Sequence, residues 1–177
     1  IAELLVSLAG RFPAVRIIDV GGGLGVPDRH GLPQLDLGKL DDALAGIKQQ
    51  LGGIALWAEP GRYLVAAAGV LLAKVTQTKQ KGSIRYVGVA TGMNSLLRPA
   101  LYGAHHDIVN LSRIDEPADL LCHVVGPICE SADFLGHDRM LPVTREGDVL
   151  AIATAGAYGH AMSSHYNLRE PAEELVI

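Results

Sequence analysis

Five short stretches carry residue types that can do chemistry. In GPICESAD, Gly126 to Asp133, Cys129 stands directly against Glu130 in a chain with only two cysteines. A carboxylate beside a thiol favours the protonated sulfur, which suits a proton donor better than a nucleophile. The plainer alternative is a buried cysteine near a strand end followed by a surface turn. In DVGGGLGVP, Asp19 to Pro27, Gly21, Gly22 and Gly23 follow an apolar run. Glycines there let backbone N–H groups approach an anion. The dinucleotide pattern G-x-G-x-x-G begun at Gly21 meets Val26 at its last position, and no Gly-Lys-Ser/Thr follows for a P-loop. A phosphate cradle and a ligand-free turn both remain open.

In AEPGRY, Glu59 and Arg62 are three residues apart and held by Pro60 and Gly61. The carboxylate could hold a protonated ring nitrogen while the guanidinium takes an anionic group; the alternative is a local ion pair on a turn, worth little. In SLLRPALYGAHH, Arg98 and Tyr102 are four apart and two histidines follow. Arg98 could contact a carboxylate in bidentate fashion and Tyr102 add a hydrogen bond, or the arginine could simply be solvated. ATAGAYGHAMSSHYN brings Tyr158 after small residues, expected to face a pocket. Seven histidines invite a metal, but no H-E-x-x-H or Cys-x-x-Cys is present, so no metal site is expected.

The elements that must position these residues fall into two styles. From residue 1 to about 60 helix and strand alternate. AELLVSLAG reads as a helix closed by Gly10, and VRIIDV as a strand buried on both faces. Asp36 is placed to cap LGKLDDALAGIKQQL, which Gly52 and Gly53 end, and IALWAEP reads as the next buried strand. Strand, helix, strand is the unit of a doubly wound sheet or a (β/α) barrel, whose active sites lie at the C-terminal strand ends. From residue 71 to 177 the chain turns to short β-rich runs: VLLAKVTQTKQ, IRYVGVA, DIVNLS, LLCHVVG and DVLAIATAGA. Turn signals at Lys81-Gly82 and Glu146-Gly147-Asp148 separate them, as in an antiparallel barrel or sandwich.

Composition narrows the class. Net charge is −4 over 177 residues with scattered basic residues, so no nucleic-acid or anionic-membrane footprint is expected. The longest apolar run, YLVAAAGVLLA, is too short for a membrane span. Two cysteines make no disulfide framework, which points to a reducing, cytoplasmic setting. The opening without Met and the strand-like closing run PAEELVI are expected of a piece cut from a longer polypeptide.

Taken in order, the five stretches resemble the C-terminal portion of the diaminopimelate decarboxylase family, pyridoxal-phosphate enzymes with an alanine-racemase-like barrel and a β domain. Closest in character is the decarboxylase part of a bifunctional aspartate kinase–diaminopimelate decarboxylase. The resemblance implies a C-terminal part of a (β/α)8 barrel over residues 1–70, then an antiparallel β domain over 71–177. It implies decarboxylation of meso-2,6-diaminopimelate to L-lysine with pyridoxal 5'-phosphate. Gly21, Gly22 and Gly23 are then the phosphate loop, and Glu59 the partner of the pyridine nitrogen, within the cofactor-contacting run Glu59-Pro60-Gly61-Arg62. Arg62 bridges the phosphate region and a substrate carboxylate, Arg98 and Tyr102 bind the distal end of the substrate, and Tyr158 meets both cofactor and substrate.

Cys129 is implied as the acid that reprotonates the product carbon, and Glu130 as the reader of the distal ammonium group, both acting in the neighbouring subunit of a two-fold dimer. Relatives acting on ornithine or arginine share EPGR but carry Cys-Asp where this chain has Cys129-Glu130. Same-fold decarboxylation of ornithine, arginine or carboxynorspermidine, and a non-catalytic binding domain, are the alternatives. The family's Schiff-base lysine is not matched by Lys39, Lys48, Lys74, Lys79 or Lys81, and its ring-stacking histidine is also missing. This piece alone is therefore expected to be inactive.

Overall fold

Asp36 caps a fifteen-residue helix: its side chain accepts the Lys39 N–H at 3.1 Å, and the helix then runs Leu37–Leu51 until Gly52, at φ 64°, turns the chain back. The computed structural model describes residues 2–177 and divides them into two compact units. One is built from residues up to Pro27 together with Pro33–Leu64; the other combines Asp28–Leu32 with Val65–Ile177.

The first unit contains α1 (Ala2–Ala9), β1 (Ile17–Asp19), α2 (Leu37–Leu51) and β2 (Ala55–Trp57), with α3 (Gly61–Val65) at its end. β1 and β2 pair in parallel, Ile17 beside Ala55 and Asp19 beside Trp57, and α2 provides the crossover between them. Burial on both strand faces, expected from the apolar run, is not found. Ile18 alone of β1 is buried, while Ile17 and Trp57 are exposed.

The second unit is a six-stranded sheet in the order β5-β8-β3-β4-β6-β7, formed by β3 (Leu71–Lys81), β4 (Ile84–Val89), β5 (Ile108–Asn110), β6 (Leu120–Val125), β7 (Phe134–Leu141) and β8 (Val149–Ile152). The turn signals fall where expected, with Gly82 at φ 61° and Gly147 at φ 92°. β3 serves two partners. Its first half pairs with β8 and its second half with β4, with a register shift between Val75 and Gln77. That change of partner bends the sheet, as corners of barrels do. The outer strands β5 and β7 lie against each other, and Gly136 permits the approach, since a Cβ there would stand 2.8 Å from Ile108 Cδ1.

Two expectations are corrected. β4 and β6 run parallel, Arg85 beside Cys122 and Gly88 beside Val125, so the sheet is mixed rather than antiparallel; the long connection through α4 (Arg98–Tyr102) and β5 returns the chain to the same end. PAEELVI forms no strand; residues 171–177 are irregular. The core gathers Val75, Val87, Val89, Leu96, Val124, Leu135, Leu141, Leu150 and Ile152, each worth about 1.5–3 kcal/mol of burial. Among the described residues no helix is long and apolar enough to cross a membrane.

Candidate functional site

In the first unit the glycine loop and the AEPGR turn meet at the C-terminal ends of β1 and β2. The Val20 N–H donates to Trp57 O at 2.9 Å and the Glu59 N–H to Gly21 O at 2.8 Å, which carries the ladder past both strands. Asp19 Oδ1 accepts the Gly21 N–H at 2.7 Å, and Gly21 and Gly23 take φ of 75° and 83°. Gly22 is pressed against the neighbouring turn: a Cβ there would lie 2.2 Å from Glu59 O. The Gly61 N–H returns to Glu59 O at 2.8 Å, Pro60 precedes α3, and Arg62 lies in its first turn. Gly21, Gly22, Gly23, Glu59, Pro60, Gly61 and Arg62 therefore form one contiguous surface, with the Glu59 side chain exposed.

In the second unit RPALY forms α4, closed by Gly103 in the left-handed region with its N–H on Pro99 O at 3.0 Å. A spacing of four puts Arg98 and Tyr102 on one face, and Tyr102 is exposed. The two following histidines are structural in their contacts. His105 Nε2 pairs with Asp107 at 2.9 Å, and fully buried His106 engages Ala153 O through Nδ1 at 2.9 Å. Tyr158 stands out from the surface at φ 59°, between buried Ala157 and Gly159. A bulky residue held there is strained, a feature concentrated at ligand sites. A cavity of about 690 Å³ opens nearby, lined by Gly69, Ser95, Leu96, Gly156 and Gly159. Tyr158 is not among the residues lining that cavity.

The loop GPICESAD is tied down by its last residue, to which no role attaches on sequence grounds. Asp133, 3% exposed, accepts the Ile128 N–H at 2.7 Å and the Met93 N–H at 2.6 Å. Gly92 and Gly126 leave room for it, since a Cβ on either would lie 2.3 Å from a carboxylate oxygen. Asp133 thereby joins the loop bearing Cys129 and Glu130 to the segment leading into α4. Cys129 and Glu130 are both exposed. From the other side, Asn167 Oδ1 accepts the Cys129 N–H at 3.0 Å and the Tyr166 hydroxyl donates to Glu130 Oε1. Tyr166 and Asn167 likewise have no expected role; their only signal is the SSHYN that closes the Tyr158 stretch. Both cysteines are free, and among the described residues no group of His, Cys, Asp and Glu could hold a metal ion.

The family model described as "Pyridoxal-dependent decarboxylase, C-terminal sheet domain" matches residues 18–156. The chain belongs to this family. Among relatives of the pyridoxal-dependent decarboxylase sheet domain, the diaminopimelate decarboxylase of Aquifex aeolicus is 38% identical over 181 residues, covering 100% of this chain and 42% of the relative. That of Pseudomonas aeruginosa is 44% identical over 176 residues, covering 98% of this chain and 41% of the relative. The crystal structure of diaminopimelate decarboxylase from Helicobacter pylori complexed with L-lysine superposes with a TM-score of 0.83 at 36% identity, covering 94% of this chain and 41% of that one. The chain thus spans about two fifths of the length of the curated relatives it matches.

Proposed function

We propose that this chain is part of a pyridoxal-phosphate-dependent carboxy-lyase that converts meso-2,6-diaminopimelate to L-lysine in the cytoplasm, and that its first unit belongs to a (β/α)8 barrel. The single observation that carries this is the joining of Gly21–Gly23 to Glu59 by the Glu59 N–H on Gly21 O. It sets a glycine-lined backbone surface beside an exposed carboxylate, as a phosphorylated pyridine requires. The residues present fit that group: Gly21 and Gly23 have open space where a side chain would stand, so backbone can approach a phosphate there. When bound, pyridoxal phosphate supplies an electron sink for the pair left as CO₂ departs.

The protein's own part is binding, orientation and proton handling. Gly21, Gly22 and Gly23 hold the phosphate, Glu59 keeps a proton on the ring nitrogen, and Pro60 and Gly61 shape that turn. Arg62 and Tyr158 contact both cofactor and substrate. Diaminopimelate ends in an amine and a carboxylate, so its pocket needs a cation and an anion together: Arg98, aided by Tyr102, takes the carboxylate, and Glu130 the ammonium. A site built for such a pair rejects an analogue lacking one member, because the unmatched charge stays buried and unpaired. The Cys129 thiol holds the proton delivered to the carbon that loses CO₂. The exposure of Cys129 and Glu130 supports their acting in the active site of a second copy, in a two-fold homodimer.

The test is CO₂ release by the full-length protein loaded with pyridoxal phosphate and offered meso-diaminopimelate, ornithine and arginine separately. Preference for diaminopimelate is the expected result; activity on ornithine or arginine alone overturns the substrate assignment.

A further inference from the structure

Two adjacent residues grip two adjacent residues far off in the chain. The Tyr166 hydroxyl donates to Glu130 Oε1, and Asn167 Oδ1 accepts the Cys129 N–H at 3.0 Å. The backbone is bent to allow this: Asn167 and Leu168 are both left-handed, at φ 58° and 55°. For Leu168 that conformation is costly and its own packing gives no return, since its side chain is 97% exposed. The segment is nevertheless anchored at both ends. The Ser164 N–H donates to Asn94 O at 2.9 Å and Asn94 Nδ2 to Glu170 O at 3.2 Å, with Asn94 itself 1% exposed. His165 Nε2 and Glu170 Oε2 add a hydrogen bond at 2.9 Å across the base. A strained loop fastened by a buried amide has one evident product, the grip on Cys129 and Glu130.

We propose that Tyr166 is a positioning residue for substrate selection, fixing the Glu130 carboxylate while Asn167 fixes the backbone of Cys129. This rests on the assignment of Glu130 to the distal ammonium group of the substrate. An exposed glutamate samples several rotamers, and a hydroxyl bound to one of its two carboxylate oxygens selects among them before substrate arrives. The hydrogen bond to Glu130 and its charge also raise the Tyr166 pKa above the ordinary value, so the hydroxyl remains a donor at neutral pH.

The experiment measures CO₂ release from meso-diaminopimelate by the full-length, cofactor-loaded protein and its Glu130→Gln, Tyr166→Phe and doubly substituted forms. Tyr166→Phe is expected to raise KM about tenfold, the loss of one hydrogen bond to a charged group, with kcat little changed. In the Glu130→Gln background the same substitution is expected to add nothing. A raised KM in Glu130→Gln with an unmoved KM in Tyr166→Phe overturns the positioning role and leaves Glu130 in place. Additive effects in the double variant overturn it too, since Tyr166 then acts independently. A fall in kcat alone for Tyr166→Phe marks a merely structural hydroxyl and likewise overturns the positioning role. An unmoved KM in Glu130→Gln removes the assignment of Glu130 and the proposal with it.

Discussion

The carbonyl oxygen of Glu59 lies 2.2 Å from where a Cβ on Gly22 would begin. Two strand ends are therefore locked together by the absence of a side chain. Gly22→Ala must push them apart, a distortion of about 1–3 kcal/mol, and should weaken retention of pyridoxal phosphate by the full-length protein. Gly25 has open space around it, so Gly25→Ala should stay within about 0.5 kcal/mol of the parent. Absorbance titration with the cofactor and thermal melting of both variants check the contrast.

Asp133 should be more costly to remove than either residue it serves to place. Asp133→Ala leaves the Met93 and Ile128 N–H groups, now bonded at 2.6 and 2.7 Å, without an acceptor. Each orphaned donor costs about 1–3 kcal/mol. Asp133→Glu should not rescue, because Gly92 and Gly126 already close on the carboxylate. Thermal melting reads both; recovery of the parent Tm by Glu would mean that the carboxylate is not so tightly enclosed.

Acid should weaken the fold in two separate windows. Burial lowers the His106 pKa below 6.5, and the charges of Arg98, His105 and Arg139 push the same way against the Ala153 carbonyl. The unfolded chain then takes up the proton more readily, so the stability from His106 is whole above 6.5 and is lost as pH falls towards the folded value. For Asp148 burial opposes the charge, but hydrogen bonds from Arg113, the Arg145 N–H and Asn110 outweigh it and lower the pKa below 3.8. Its contribution persists down to about that value and is lost as pH falls through the folded pKa. Tm against pH should flatten in the upper window for His106→Gln and in the lower one for Asp148→Asn.

The two thiols should separate cleanly under alkylation. Burial pushes Cys122 up to about 11, and its Sγ faces Arg139 O at 3.4 Å, so it should resist iodoacetamide in the folded protein. Cys129 is exposed and should be modified. Peptide mass mapping before and after denaturation distinguishes them; labelling of Cys122 without unfolding would be inconsistent with its burial.

What could be read in the sequence was local. Asp36 and Gly52 mark the ends of α2 because capping chemistry depends on neighbours a few residues away, and Gly82 and Gly147 mark turns for the same reason. β7 escaped because FLGHDRML lacks alternation; Asp138 at φ 52° and a register shift with β6 break the period of two. The parallel pairing of β4 with β6 escaped because partner choice is not local. Of the candidate site, the residue types and the strand ends that carry them were legible. The braces were not: Asp133 reads as one more polar loop residue until Met93, 40 positions away, is found bonded to it.

The two end strands of the six-stranded sheet, β5 and β7, lie against each other. Of the two loops of this unit that carry candidate residues before Tyr158, one enters β5 with Arg98 and Tyr102 and the other enters β7 with Cys129 and Glu130. Both thus feed the same seam, where Gly136 admits Ile108. A methyl group at residue 136 would wedge that seam, and the disturbance would reach the proposed carboxylate binder and the proposed proton donor together, though it touches neither.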